Sequence, residues 1–460
     1  MAVCFTINEI SAVCGGEWIA QPTAATVEGV NDDSRSVAKG NLFVALKGEL
    51  ADGHKYVLNA ARAGAACLLV ERAPLDTELA EIKQLGCGCL LVADSCRAYH
   101  GLARAYRRRF PNLPIVGVTG SCGKTSTKEM VAAVLEKAFP GHVLKTIGNT
   151  NNFFGVPRNL FRINDETQAA VIEMGSNKQG EIDRLATMVE PTTGIVCNIG
   201  AAHLEFFHDL RGVAEEKGDL FTHTPENATV VMPGEAEGLD ILKKHAGGRR
   251  IVTFGASDDC DVQGVYLGLR DGGYGLKLIA KNRGESVEIT WGLGGAHQAV
   301  NAAGAAAIGL SFGMSLEQIA LGLQACELPG ARMKVEQIDG RYWVNDSYNA
   351  NPNSMRASLS WFKEISASGK SRLLVLGDML ELGENSPKAH EELLHWARAE
   401  FPNDRIVTVG KLMAPASEAL GLEHYATALE AKEALSGHLP EGGWILLKGS
   451  NSIGLGVILS

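Results

Sequence analysis

The sequence has no apolar run that approaches the roughly 18 residues of a membrane-spanning helix. Its first residues, MAVCFTINEI, lack the basic and apolar regions of a signal peptide. Basic residues are in deficit, with 43 Lys and Arg against 53 Asp and Glu, and the net charge of −10 argues against a general affinity for nucleic acids or anionic membranes. These absences predict a soluble cytoplasmic protein. Any phosphate-binding site it has must be confined to a small part of its surface.

Paired cysteines are also scarce. The ten cysteines are scattered, and only Cys87 and Cys89 are closely spaced, whereas a zinc site would require two close pairs. Cys67, Cys87, Cys89 and Cys96 lie in or beside apolar runs such as ACLLV. The pattern predicts buried free thiols in a reducing compartment instead of a disulfide framework or a zinc site.

The chain contains no internal repeat and no low-complexity tract. Its 460 residues, 45% apolar and 21% charged, are typical of a globular protein of about three domains. We predict domains at 1–112, 113–328 and 329–460, with Pro111 and Pro114 marking the first boundary. The first domain ends in a helix whose arginines are expected to form a solvated C-terminus: Arg104, Arg107, Arg108 and Arg109.

The arrangement of apolar runs predicts an α/β fold. In the first domain short strands alternate with helices. In the second, runs such as IVGVTG, AAVIEMG and TGIVCNIG do not alternate with polar residues, which is typical of a buried parallel sheet. Residues 261–293 do alternate, between glycine turns, and predict antiparallel hairpins. The third domain repeats a strand–helix pattern and is expected to be Rossmann-like, with a second, largely parallel sheet.

The strongest chemical motif is a glycine loop between a predicted strand, IVGVT, and a predicted helix. Backbone N–H groups of such a loop can surround a phosphate, and the helix N-terminus adds positive potential. Lys124 would pair with the β- and γ-phosphates, and Thr125 would hold Mg²⁺. Val118 replaces the first glycine of the strict motif, so an incidental glycine turn is the alternative. The ATP-binding residues predicted here are Gly120, Ser121, Cys122, Gly123, Lys124, Thr125 and Ser126.

Two further polar residues follow predicted parallel strands. Glu173 ends AAVIE, and His203 follows TGIVCNIG. The carboxyl ends of such strands meet at one edge of a sheet, which is a suitable place for Mg²⁺ ligands. A capping role for Glu173 and a packed or surface position for His203 are the alternatives.

Four segments, TGSCGKTSTKE, EMGSNKQGEID, CNIGAAHLEFF and EEKGDLF, occur in this order and resemble the Mur ligase superfamily. These are ATP-dependent amide-forming ligases of peptidoglycan precursor synthesis, and the resemblance covers nearly the whole chain. It implies ATP and Mg²⁺ as cofactors, with Glu173 and His203 as magnesium ligands. It also implies a carbamylated Lys217 that helps to bind a second Mg²⁺. The nucleotide would contact Asn301 at adenine, Arg332 at the phosphates and Asp346 at the ribose.

The segments NDSYNANPNSM, TIGNTNNFFGVP and LGDMLELGENSPKAH resemble one branch of this superfamily. That branch adds D-alanyl-D-alanine to a UDP-N-acetylmuramoyl-tripeptide, and we expect a monomeric enzyme with these two substrates. The segment LLKGSNSI also resembles the family's K-G-S sequence. The residues implied to bind substrates are Ser34 and Arg35 for UDP, Asn151 and Asn152 for the muramoyl-peptide, and Tyr348, Asn349 and Asn351 for the dipeptide.

Other functions remain open at this stage. A Mur ligase that adds a single amino acid, or a folate-polyglutamylating relative, would share the nucleotide motifs, although the N-A-N-P sequence argues against both. A P-loop NTPase acting as a conformational switch would hydrolyse ATP without an acceptor. A non-catalytic nucleotide-binding module would not need Lys124, Thr125, Glu173 and His203 together.

Overall fold

The computed structural model describes residues 3–48, 51–201, 203–330, 333–367 and 370–459. Strands and helices alternate along most of this length, as an α/β fold requires. The strands are β1 (Cys4–Thr6), β2 (Glu17–Ala20), β3 (Thr26–Glu28), β4 (Val30–Asn31), β5 (Leu42–Val44), β6 (Cys67–Val70), β7 (Gly88–Leu91), β8 (Ile115–Thr119), β9 (Val143–Lys145), β10 (Ala169–Glu173), β11 (Thr193–Val196), β12 (Thr229–Pro233), β13 (Arg250–Gly255), β14 (Val262–Arg270), β15 (Gly273–Ala280), β16 (Glu285–Trp291), β17 (Lys334–Ile338), β18 (Arg341–Asn345), β19 (Arg372–Gly377), β20 (Arg405–Val409), β21 (Glu423–Tyr425) and β22 (Trp444–Lys448).

Several helices begin where a short polar side chain accepts a hydrogen bond from the first turn. Asp94 does so before α4 (Ser95–Arg107), Asp209 before α9 (Leu210–Thr222) and Asn351 before α13 (Pro352–Ile365). The helices are α1 (Ile7–Cys14), α2 (Val57–Arg62), α3 (Asp76–Gln84), α4 (Ser95–Arg107), α5 (Lys124–Leu135), α6 (Gly155–Leu160), α7 (Glu181–Val189), α8 (Leu204–Phe207), α9 (Leu210–Thr222), α10 (Leu239–Ala246), α11 (Ala296–Ser311), α12 (Leu316–Gln324), α13 (Pro352–Ile365), α14 (Ser386–Glu400), α15 (Ala414–Ala419) and α16 (Ala428–Leu435).

The first of two compact units comprises Met1–Gly117, Phe139–Gly175 and Ile182–Thr193. Its five-stranded sheet has the order β2-β7-β6-β5-β4, and all its pairs are parallel except β2 with β7. Phe43, Leu68 and Ile82 are among the buried side chains that fill the core beside this sheet. Strands β8, β10 and β9 are neighbours in another sheet, in which β10 pairs in parallel with β9, and Glu173 is the last residue of β10.

The second unit comprises Val118–Ala138, Ser176–Glu181 and Gly194–Ser460. Its larger sheet continues from the end of β8 through β11, β12 and β13 to β14, β15 and β16. Strands β11 to β14 are parallel, whereas β14, β15 and β16 pair antiparallel, as the alternation in 261–293 predicts. The apolar runs of this unit therefore form the buried parallel sheet that the sequence indicates.

The C-terminal sheet of the second unit has the order β17-β18-β22-β19-β20-β21. Only the β17–β18 pair is antiparallel. Strand β22 lies between β18 and β19, with Leu446 paired to both Val344 and Leu374. These three side chains are buried in one hydrophobic core. The predicted α/β fold with largely parallel sheets is confirmed; the domain boundaries stay a prediction.

The basic end of α4 is solvated only in part: Arg108 and Arg109 are exposed as predicted, whereas the prediction is wrong for Arg107. Arg107 is buried and donates to the carbonyl oxygens of Val189, Phe110 and Leu113. The neighbouring arginines bind carboxylates, because Glu190 accepts from Arg104 and Arg108, and Glu9 from Arg109. The end of α7 and the residue after it thus supply a carbonyl oxygen to the buried Arg107 and a carboxylate to Arg104 and Arg108.

The ten cysteines, all within the described ranges, are free thiols. Cys67, Cys87 and Cys89 are buried as predicted. Cys96 is only half-buried, beside His100 and Arg184, so its predicted full burial is wrong. Within the described part of the chain, no helix combines the length and apolar character that crossing a membrane requires.

Candidate active site

The glycine loop leads from β8 into α5, in the order that the sequence predicts. Gly120 has φ +147° and Gly123 has φ +76°, values that favour glycine over any residue with a Cβ. A Cβ on Gly123 would also lie 2.8 Å from Oδ1 of Asn301. The loop can therefore close around an anion at the helix N-terminus only with glycine at these positions.

Residues after β11 hold the glycine loop in place. Oδ1 of Asn198 accepts a hydrogen bond from the N–H of Cys122 at 2.8 Å, and Nδ2 of the same asparagine contacts the sulfur of Cys122. Oγ of Ser121 lies 3.0 Å from both the N and the O of Gly200. The motifs do not identify Asn198, although its place after a parallel strand is the same signal that identified Glu173.

Lys124 starts α5, and its ammonium group lies against the glycine loop. Nζ donates to the carbonyl oxygen of Gly120 at 2.7 Å and to that of Ser121 at 3.3 Å. Thr125 and Ser126 follow in the first turn and are buried. The geometry thus brings a positive charge and two hydroxyl groups to the N-terminus of one helix.

Asn301, the residue expected at adenine, lies on α11 beside this loop. Its Nδ2 donates to Oε1 of Gln298 at 3.1 Å. The neighbouring His297 has its Nε2 3.0 Å from the sulfur of Met333. Burial lowers the pKa of His297 to about 4, so its ring is neutral near pH 7.

Lys217 lies on α9 and is almost completely buried, with 1% of its surface exposed. Its Nζ donates to Oγ of Ser176 at 2.5 Å and lies 5.3 Å from the ring centre of Phe207. Burial and, to a smaller extent, the charge of Lys124 lower the pKa of Lys217 to about 7. A large fraction of this amine is therefore neutral and nucleophilic at neutral pH.

Glu173 is fully buried at the end of β10 in the first unit. Oε1 accepts from Nδ2 of Asn151 at 2.8 Å, and its backbone N–H donates to Oγ1 of Thr146. The structure thus places Asn151, which we expected at the muramoyl-peptide, on the carboxylate of Glu173. Asn152 is exposed and accepts from the N–H groups of Phe154 and Gly155 at the start of α6.

His203 immediately precedes α8 and has φ +54°. Its Nδ1 lies 2.8 Å from Oε2 of Glu381, within ion-pair distance. Among the residues that the structure describes, no three His, Cys, Asp or Glu side chains form a cluster that could hold a metal ion by themselves. Mg²⁺ commonly retains waters and binds phosphate oxygens, so one or two protein ligands suffice for it.

The loop after β18 carries the residues expected to meet the ribose and the dipeptide. Lys448, 3% exposed, donates through Nζ to the carbonyl oxygens of Asp346 at 3.0 Å and Asn349 at 2.5 Å. Oδ2 of Asp346 is 3.2 Å from the same Nζ. Tyr348 is half-buried in this loop. Lys448, at the end of β22, therefore fixes the position of the loop.

Four other expected residues have different surroundings. The side chain of Asn349 is exposed, whereas Oδ1 of Asn351 accepts from the N–H of Ser354 and caps α13. Arg35 is 88% exposed and pairs through two nitrogens with Asp33, whose pKa it lowers to about 2. Ser34, between them, is half-buried. Arg332 lies outside the described residues.

Comparisons with known proteins place these features in a family. Residues 26–106 match the model of the Mur ligase family catalytic domain, 118–309 that of the Mur ligase middle domain, and 331–451 that of the Mur ligase glutamate ligase domain. The chain is 36% identical over 454 residues to UDP-N-acetylmuramoyl-tripeptide–D-alanyl-D-alanine ligase of Escherichia coli, covering 97% of this chain and 96% of that one. The enzyme of the same name from Bacillus subtilis is 32% identical, covering 98% and 96%.

Solved structures agree with the sequence comparisons. A crystal structure of MurF from Acinetobacter baumannii matches with a TM-score of 0.89 and 31% identity, over 100% of this chain and 98% of that one. MurF from Thermotoga maritima, solved in complex with ADP, matches with a TM-score of 0.78 and 26% identity, over 94% and 96%. The described geometry and these matches over nearly the full length lead to one conclusion: this chain is a member of the Mur ligase family.

Proposed function

We propose that this protein is the ATP-dependent ligase that joins D-alanyl-D-alanine to UDP-N-acetylmuramoyl-tripeptide in peptidoglycan precursor synthesis. The observation that carries the proposal is the glycine loop with Lys124, in a chain similar over nearly its whole length to ligases of that name. Because UDP-linked precursors and ATP are cytoplasmic compounds, the reaction is assigned to the cytoplasm. We expect the enzyme to act as a monomer.

The reaction proceeds in two steps that need no covalent enzyme intermediate. The terminal carboxylate of the tripeptide attacks the γ-phosphorus of ATP, ADP leaves, and an acyl phosphate forms. The amine of D-alanyl-D-alanine then attacks the acyl carbon, phosphate leaves, and the amine loses a proton as the amide forms. The protein contributes positioning and charge neutralisation, with Lys124 and the backbone N–H groups of its loop offsetting the phosphate charge.

The residues present fit a magnesium ion chemically. Hydroxyl and carboxylate oxygens are ligands that Mg²⁺ prefers, and Thr125 and Glu173 supply them. We assign Mg²⁺ to Thr125, Glu173, His203 and a carbamylated Lys217. When bound, the ion lowers the repulsion between the phosphate oxygens and an incoming carboxylate.

The lowered pKa of Lys217 supports its carbamylation. The neutral amine attacks the carbon of CO₂, a C–N bond forms, and a proton leaves to solvent. The product is a carbamate anion, which replaces a buried cation with oxygen ligands. The burial that lowers the pKa of Lys217 to about 7 makes the neutral amine available at physiological pH.

The substrate assignments rest on the family resemblance, and for Arg35, Asn152 and Asn349 also on exposure. Arg35 is exposed and cationic and is assigned with Ser34 to the UDP moiety. Asn152 and Asn151 are assigned to the muramoyl-peptide, and Tyr348 and Asn349 to the dipeptide. Asn351 is assigned to the dipeptide through its amide nitrogen, because its oxygen caps α13.

The test measures phosphate release from ATP with Mg²⁺ and UDP-N-acetylmuramoyl-tripeptide, with and without D-alanyl-D-alanine. Product formation is followed by mass spectrometry. We expect phosphate release that requires both substrates and matches the pentapeptide formed. Release that is indifferent to both would indicate an NTPase switch. Release that needs a different amino acid or a folate would agree with the Mur ligase family but show that D-alanyl-D-alanine is not the acceptor.

Lys124→Ala tests the phosphate site in the same assay. We expect kcat/KM to fall by about 100-fold or more, because a charge aimed at the transferred phosphate is lost. Lys137→Ala is the matched control, since Lys137 is an exposed lysine just beyond the end of α5. Near-normal ligation by Lys124→Ala would show that the glycine loop does not bind the reacting phosphate.

A further inference from the structure

The segment Asp378–His390, which follows β19, has no role in the chemistry proposed above, yet its first residues are held firmly. The carboxylate of Asp378 accepts from the backbone N–H groups of Leu412 and Met413. Oγ of Ser450 accepts from the N–H of Leu380 at 3.1 Å. These contacts fix both the start of the loop and its direction.

A buried histidine holds the other side of this loop. His390 is fully buried on α14, and its Nε2 accepts from the N–H of Met379 at 2.9 Å. Its Nδ1 then carries the proton and donates to the carbonyl oxygen of Ser386 at 2.7 Å. Burial lowers the pKa of His390, which keeps the ring neutral in this arrangement.

The fixed loop projects one carboxylate, that of Glu381, towards His203. Glu381 has φ +63°, a conformation that costs free energy for a residue with a Cβ and persists only where its surroundings impose it. Its Oε2 lies 2.8 Å from Nδ1 of His203. Next to it, a Cβ on Gly383 would be 3.1 Å from Cα of Glu205, so the loop also packs closely on α8.

We propose that Glu381 is a positioning residue for His203: its carboxylate, at ion-pair distance from Nδ1, favours a proton on that nitrogen, orients the ring and leaves the Nε2 lone pair for a divalent cation. This inference rests on the proposed function, in which His203 binds Mg²⁺. Histidine ligands of metals usually donate their second ring N–H to such a partner, which also makes the ligating nitrogen more basic.

The arrangement links two distant parts of the sequence. His203 follows β11 of the larger sheet, whereas Glu381 follows β19 of the C-terminal sheet. A cation at His203 would therefore bind with full affinity only when the loop after β19 is seated on α8. The segment that distinguishes this branch of the family thus acts on the metal site through one carboxylate.

The experiment measures Mn²⁺ binding to the full-length protein by electron paramagnetic resonance of the free ion, with a non-hydrolysable ATP analogue present. Removing such a partner typically costs about 10- to 100-fold in metal affinity. We expect a loss in this range for Glu381→Ala and a smaller loss for Glu381→Gln, whose amide oxygen keeps a partial negative charge beside Nδ1. Glu384→Ala, an exposed carboxylate in the same loop, is the control and should bind Mn²⁺ normally.

The outcomes separate this inference from the proposed function. Unchanged Mn²⁺ affinity in both Glu381 variants would overturn the inference, as would an equal loss in Glu384→Ala, which would indicate a general charge effect. His203→Ala should remove the same Mn²⁺ site; normal binding by that variant would instead overturn the assignment of His203 as a ligand. The thermal midpoint of unfolding shows whether Glu381→Ala folds. If it does not, the Mn²⁺ affinity of the near-isosteric Glu381→Gln decides whether the inference holds.

Discussion

Lys448 holds the loop that carries Asp346 and Asn349, because one buried ammonium group meets two of its carbonyl oxygens and a carboxylate. The resemblance to the K-G-S sequence does not reveal this role. About a hundred residues separate the donor from its acceptors, so only the folded chain brings them together. The same holds for Glu381 and His203, whereas Lys124 and Gly123 are neighbours whose spacing alone predicts their function.

Replacing Lys448 tests whether this loop positions both the nucleotide and the acceptor. We expect Lys448→Met to raise the KM for ATP and for D-alanyl-D-alanine by about 10-fold or more, because removing one partner of a buried ion pair costs free energy. The KM for UDP-N-acetylmuramoyl-tripeptide should change little. Steady-state kinetics with each substrate varied in turn measures the difference. Lys411→Met, at an exposed lysine, is the control, and an equal rise in all three KM values would contradict the prediction.

Lys217 gives a second residue-scale prediction, with a defined pH dependence. The carbamate forms from the neutral amine, so it should be present above pH 7 and be lost as the pH falls through about 7, the pKa of this lysine. Carbon-13 NMR of protein equilibrated with ¹³C-bicarbonate should show one carbamate signal with that pH dependence. The signal should be absent in Lys217→Met. A signal retained in that variant would place the carbamate on another amine.

At the scale of elements, sequence patterns predict the strands with long apolar runs and miss the short ones. Strands β8, β10 and β22 are buried runs of five residues, long enough to be recognised. Strands β3 and β21 have three residues each, and so short a run shows no periodicity of its own. The burial of Arg107 near the end of α4 could not be predicted, because two of its carbonyl partners, Val189 and Glu190, are 82 and 83 residues away in the sequence.

Helix α4 also carries a buried histidine that makes stability depend on pH. His100 donates to the carbonyl oxygen of Phe153 through Nε2 and accepts from Arg184 at Nδ1. Burial lowers its pKa to about 4 from an ordinary 6.5. Between these values the unfolded chain binds more protons than the folded one, so stability present above pH 6.5 is lost as the pH falls towards 4.

We expect His100→Gln, whose amide can both donate and accept hydrogen bonds, not to lose stability in this way as the pH falls. Relative to about pH 7.5, the wild type should lose about 2 kcal/mol more than the variant in its free energy of unfolding at about pH 5. Urea unfolding at the two pH values measures the difference. Equal losses in the two proteins would show that His100 is not the group responsible.

At the scale of the whole molecule, two compact units with separate hydrophobic cores predict more than one unfolding transition. The glycine loop and Lys124 belong to the second unit. A non-hydrolysable ATP analogue, added without Mg²⁺ because Glu173 of the first unit is assigned to that ion, should at about 100 times its Kd stabilise the second unit by about 2.7 kcal/mol and leave the other transition in place. Differential scanning calorimetry measures this, with Lys124→Ala as the variant that should not respond. A single transition that shifts as a whole would show that the units unfold together.

The position of β22 has a consequence for synthesis on the ribosome. This strand is translated after every other strand of its sheet, yet it lies in the interior, between β18 and β19. Until it emerges, β18 and β19 expose unpaired edges, and Val344 and Leu374 have no Leu446 beside them. Such edges are templates for pairing with other chains. The C-terminal sheet therefore cannot assemble strand by strand in the order of synthesis. A ribosome that pauses before Trp444 holds a nascent chain at its most aggregation-prone stage.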